Sequence, residues 1–265
     1  MSRSGWPRRW AGRADVRLLT LLLALLQHPD RPDLRAGLDT LYGGDFPAAA
    51  RYFDGLAARD TLDPAPLIFQ AGAYIWWASA KDSDAFEEAR IDSLLDRAVT
   101  RARTGGEGDR FWLATALGYR AREKDLHGHA LSAAKDAKAM RDAYSAVLAA
   151  DSACADCYLG LGVYQYGLAR AGTLARLFAK IIGLGSGDAA RGIADLRRVA
   201  EGGDLARVEG TWVLAAALVR EADRDRDRRQ GLRTEARDLV AALSQRYPGN
   251  PVFTRFLSEV PAEGP

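Results

Sequence analysis

The sequence predicts an all-α chain of antiparallel helical hairpins, and three observations carry that prediction. Ala, Leu and Arg are abundant while Val, Ile and Thr are sparse, so helix formers outweigh the β-branched residues that favour strands. Gly and Pro recur as punctuation between long helical stretches, at 43–44, 63–66, 105–108, 183–187, 202–203 and 247–251. Residues 127–149 place Ala133, Ala137, Met140, Tyr144 and Val147 at alternating spacings of four and three, with Lys135, Asp136, Lys138 and Asp142 off that stripe, so one face is predicted buried and the other wet.

In chain order, residues 1–30 come first as a leader. Five Arg against Asp15 and Asp30 give it +3 of a formal +2, leaving −1 for the rest of the chain. A body without a net basic field gives no basis for counterion-release binding, so nucleic acid is not an expected partner. The Arg-rich start, the nine-residue apolar run from Leu18 to Leu26 and the polar exit QHPDRPD have the shape of a secretory signal peptide. The run is short of the ~20 residues that span a bilayer, and no small-x-small cleavage site follows it. Export to the periplasm, or anchoring by this segment alone, is the expectation; a cytoplasmic chain that uses the segment as a first helix is the alternative.

The body runs from 31 to 260. LRAGLDTLYGGDFPAAARYFDGLAARDTLDP, residues 34–64, places Gly37 twelve residues before Ala49, with Phe53 and Leu56 four and seven beyond that alanine and an Asp-Pro at the end. Leu117-Gly118 is followed twelve residues on by Ala130, then Ala134 and Ala137. Tyr158, Leu161 and Gly162 repeat an aromatic, Leu, Gly opening, and EARDLVAALSQRYP sets Ala236, Val240, Leu243 and Pro248 at +4, +7 and +12. Extra residues between Gly72 and Ala89, and the charged ADRDRDRRQG at 222–231, stretch the period; the latter reads as a solvated connection or helix extension.

Small residues that let two helices approach, large apolar residues that fill the gap and a closing Pro make this pattern resemble the tetratricopeptide (TPR) repeat. The resemblance implies a TPR-like α-solenoid of four to five hairpins and binding rather than catalysis. ADCYLGLGVYQYG, a basic amphipathic segment, IIGLGSGDAARGIADL and GGDLARVEGTWVLA are similar, more specifically, to bacterial relatives of the mitochondrial outer-membrane TPR family that clears inclusion bodies in fungi. That likeness implies an atypical hairpin with a Gly-rich break and an adaptor role.

Candidate chemistry is sparse. Cys154 and Cys157 are the only cysteines. No preceding strand supports a thioredoxin-like motif, and Tyr158 stands where haem attachment needs His. His127 and His129, two apart, point to different faces of a helix, so a zinc set is not expected. In an exported chain the i, i+3 pair is expected to form a disulfide clamping a helix start; in a reducing compartment it is two small apolar residues at a helix contact. GLGSGD lacks the Gly-Lys-Ser/Thr ending of a phosphate loop, and Ser186 or Asp188 is expected to cap the next helix. No catalytic set, metal or cofactor is read from the chain.

The aromatics fall on what would be the first helix of successive hairpins. Trp76 and Trp77 cannot both face one way, nor can Tyr164 and Tyr166. A concave groove lined by Tyr74, Trp77, Trp112, Tyr119, Tyr164 and Tyr166 is the candidate binding surface, with a protein or peptide as its expected partner. Leu34 and Leu38 stand where chaperone-binding TPRs carry a carboxylate clamp, so that clamp is not supported. The alternatives are a binder of a small apolar ligand or lipid inside a closed superhelix, and a redox or accessory protein using Cys154 and Cys157.

Overall fold

The computed structural model describes residues 31–172, 176, 179 and 183–260. The leader, and most of the basic segment before the Gly-rich stretch, lie outside the described residues.

Eleven helices and no strand are present among the described residues: α1 (Pro32–Tyr42), α2 (Phe46–Arg59), α3 (Ala65–Lys81), α4 (Glu88–Thr104), α5 (Arg110–Leu126), α6 (Ala130–Ala150), α7 (Cys157–Arg170), α8 (Ala189–Gly202), α9 (Arg207–Ala222), α10 (Arg229–Arg246) and α11 (Pro251–Glu259). Their ends follow the punctuation. Asp45, Asp188 and Asn250 are N-caps whose side chains accept the backbone N–H groups of Ala48, Arg191 and Val252, each at 3.0 Å. Of the two caps considered for α8, it is Asp188 that performs the role. The charged run at 222–231 divides into a turn and the first residues of α10.

Three sequence expectations need correction. His127 and His129 flank α5 and α6 as cap residues in the turn at Gly128, so helix-face geometry does not apply to them; no cluster with metal-ligand composition exists among the described residues. Asp136 lies off the apolar stripe of α6, yet it is buried. It accepts a bidentate pair from Arg120 on α5 (2.7 and 2.8 Å) and a third bond from Lys124 (2.8 Å), which is how a carboxylate survives at a helix interface. Finally, the break between α3 and α4 falls at residues without Gly or Pro: Asp82 and Glu87 adopt left-handed φ values of 52° and 57°.

Consecutive helices pack on one another along the whole chain, and α1, α3, α5, α7 and α9 also touch in that order. The odd-numbered helices therefore form one layer, flanked by the even-numbered ones. The two ends of this array meet. Tyr247 donates to Asp39 at 2.9 Å, the buried Asn250 amide donates to the Tyr42 carbonyl at 3.0 Å, and Arg255 donates to the Ser79 carbonyl at 2.6 Å. Gly44, at φ 95°, brings its α-carbon so close to Gly249 that a Cβ would lie 2.4 Å from the Gly249 carbonyl oxygen. The core runs continuously from α1 to α11 through Leu34, Phe53, Ile68, Leu95, Leu196, Leu214 and Phe253.

Candidate functional site

Where the odd-numbered helices face one another they leave a cavity of about 300 Å³, at the small end of the ~300–1,000 Å³ typical of small-molecule sites. Its wall is assembled from a stripe on each helix: Ile75, Trp76 and Ser79 on α3; Thr115, Gly118, Tyr119 and Arg122 on α5; Glu209, Trp212 and Val213 on α9. Positions i, i+3, i+4 and i+7 share one face of a helix, which is why these residues converge. Leu159, Gly160 and Val163 of α7, Met140 and Tyr144 of α6, and Val252 of α11 complete the wall. Val163 is exposed and marks the cavity's side toward solvent.

The wall is mostly apolar and aromatic. Trp76 lies 5.8 Å from Trp212, and both pack on Phe253. Besides Ser79, whose hydroxyl donates to the Ile75 carbonyl of its own helix at 3.0 Å, three polar features interrupt it. The Tyr119 hydroxyl donates to the Glu209 carboxylate. Thr115 donates to the Phe111 carbonyl at 2.9 Å, so the 2.9 Å contact with Tyr144 is a bond from the phenol to the Thr115 oxygen. Arg122 donates to the buried Glu123.

Burial pushes the Glu209 carboxyl above the usual range; the Tyr119 bond and the field of Arg122 oppose that rise without cancelling it. Tyr119 is raised well above an ordinary phenol, first by burial and then by the adjacent Glu209 charge. Burial likewise raises Tyr144 and Glu123. The cavity wall thus carries one half-buried carboxylate with a single phenol as its hydrogen-bond partner.

The cysteines come just before Leu159 and Gly160, the first residues of α7 in the cavity wall. Cys154 and Cys157 are bonded, with Cα atoms 5.5 Å apart, immediately before and at the start of α7. Between them Asp156 accepts the backbone N–H groups of Asp204, Leu205 and Ala206 at 2.7–3.3 Å, fixing the approach to α9, the helix that carries Glu209.

Of the six aromatics expected to line a groove, Tyr119 lines the cavity and the other five do not. Tyr74 stacks on Trp77 at 6.2 Å, Trp77 packs on Phe86, and Trp112 packs on Phe111 and Phe69. The Tyr164 hydroxyl donates to the Leu184 carbonyl at 2.6 Å, and that of Tyr166 reaches Ala217 and Glu221 on α9. Between the adjacent indoles, Trp76 rather than Trp77 turns inward. Sequence reasoning missed Trp212 and Glu209; the available signal was a lone acid inside the apolar run VEGTWVLAAALV, three residues before a Trp. No protein-family model, curated protein or solved structure matches the chain.

Proposed function

We propose that the chain is a non-catalytic binding protein, a TPR-like solenoid whose inner face is closed into a pocket for a small, largely apolar ligand. The observation that carries this reading is the aromatic cavity on the inner stripe of α3, α5 and α9, at the place an open solenoid would use as a groove. Contact between α1 and the segment from Tyr247 to Asn250 favours a closed pocket over a groove for an extended peptide. The packing of Tyr74, Trp77, Trp112, Tyr164 and Tyr166 away from the cavity weighs the same way. Export belongs to the same proposal: the bonded Cys154 and Cys157 fit an oxidising compartment.

Native mass spectrometry of protein purified from its own host tests the binding reading. A small molecule released on denaturation, and lost from a Val163→Trp variant that fills the solvent side, supports it. A chain that carries nothing, with wild type and variant equally unable to take up the apolar dye N-phenyl-1-naphthylamine, refutes it. Intact mass with and without thiol alkylation after fractionation tests export: a shortened chain outside the cytoplasm, with both thiols blocked until reduction, is the expected result.

A further inference from the structure

Resting on the pocket reading, we propose that the ligand is an organic amine, its apolar body between Trp76 and Trp212 and its ammonium on the Glu209 carboxylate. Four observations carry this. Glu209 accepts from Tyr119, and no other hydrogen bond or ion pair reaches it among the described residues. A half-buried carboxylate that faces an aromatic wall, with one phenol as its hydrogen-bond partner, is stabilised by a cation placed beside it. The cavity supplies aromatic faces beside that charge: Trp76, Trp212, Tyr119 and Tyr144, which favour a cation electrostatically as well as an apolar body. Arg122, the one cationic side chain on the wall, is already engaged with the buried Glu123. An acidic ligand would meet Glu209 as a like charge and would share Arg122 with Glu123. A neutral ligand would leave the carboxylate uncompensated.

The chemistry is that of an aryl- or alkylamine small enough for about 300 Å³. Tryptamine, tryptophol and indole-3-acetate present one indole body with an ammonium, a hydroxyl and a carboxylate, and titration calorimetry of the full chain with each isolates the head group. Tryptamine is expected to bind about ten- to a hundred-fold more tightly than tryptophol, the scale of a hydrogen bond to a charged group, with indole-3-acetate weakest. Glu209→Gln keeps an acceptor for Tyr119 and is expected to bring tryptamine down to the tryptophol level, with an unchanged circular dichroism spectrum reporting that the variant is folded. Tyr119→Phe keeps the charge and should keep the preference for tryptamine. Equal binding of tryptamine and tryptophol, or a preference that survives in Glu209→Gln, overturns the amine inference and leaves the pocket reading standing. Failure of all three probes to bind also overturns it, and the fate of the pocket reading is then decided by the co-purified molecule and the dye.

Discussion

Placing a methyl group on Gly192 tests the crossing that positions α7 against the cavity. A Cβ at Gly192 would lie 2.7 Å from the Tyr166 backbone nitrogen, 2.8 Å from the Gly162 carbonyl oxygen and 2.8 Å from the Tyr166 Cβ. Two of those three atoms are backbone, so no rotamer change relieves the contact and α7 and α8 must move apart. Overpacking of this kind costs about 1–3 kcal/mol, partly offset by the ~1 kcal/mol that Ala gains over Gly in a helix; the net expected loss is up to about 2 kcal/mol. Gly167 supplies the control on the same helix pair. It is exposed, and no atom lies within 4 Å of its added Cβ. Gly167→Ala should therefore gain about 0.5–1 kcal/mol. At about 2–4 °C per kcal/mol for a domain of this size, thermal melts followed by circular dichroism should place Gly192→Ala up to roughly 8 °C below wild type and Gly167→Ala roughly 1–4 °C above it. A Gly192→Ala protein melting at or above Gly167→Ala would refute the claim that backbone-to-backbone approach sets this crossing.

Glu209→Gln should flatten the pH dependence of stability. A carboxyl raised by burial binds its proton more tightly in the folded chain, so its contribution is complete below the ordinary glutamate value of 4.5 and is lost as pH rises through the folded value. The variant, melted in steps from acid to neutral pH, should lose less stability over that rise, with Tyr119, Arg122 and Tyr144 still facing the site. Asp136→Ala has the opposite sign. Burial alone would raise this carboxyl, but the bonds from Arg120 and Lys124 hold it below its usual value, so its contribution is present above the ordinary Asp range and disappears as pH falls through the folded value; at neutral pH the substitution should cost about 1–3 kcal/mol in urea titration, allowing for partial exposure. Asp156→Ala removes the acceptor for three backbone N–H groups before α9 and should cost about 2–3 kcal/mol, with hydrogen exchange accelerated at residues 204–206.

Helix ends were legible because they rest on local chemistry. Gly43-Gly44, the Asp-Pro at 63–64 and the Asp188 cap act within a few residues of themselves, and the structure places the boundaries there. The break at 82–87 was not legible: it depends on Asp82 and Glu87 taking left-handed backbone, a conformation that their residue types do not announce as Gly would. Asp136 was misread for a related reason. Periodicity sorts residues by polarity, and a buried carboxylate is invisible to it unless the bidentate Arg120 on the neighbouring helix is already known. For the cavity, the sequence showed which helices carry aromatics but not their rotation. A rotation of one residue, 100° around the helix, decides between Trp76 and Trp77, and it is set by contacts from residues more than a hundred positions away.

Those distant contacts explain why pocket and seam are one construction. The Trp76 ring lies 5.5 Å from Tyr42, 5.8 Å from Trp212 and 5.6 Å from Phe253, so helices from the beginning, the later part and the end of the described chain converge on one indole. If α11 stood away from α1 and α3, Trp76 would lose Phe253 from its three aromatic neighbours, and Val252 would leave the cavity wall. The seam that prevents this depends on turn residues at opposite ends of the body. Gly44 must come within carbonyl distance of Gly249, and a Cβ on Gly249 would lie 2.6 Å from the Gly43 oxygen, so neither side of the seam tolerates a side chain. Asn250 then serves twice, capping α11 through its carbonyl oxygen and bonding the end of α1 through its amide. Short polar turns, each unremarkable in its own segment, thereby determine that the aromatic inner face is a bounded cavity with Glu209 in its wall.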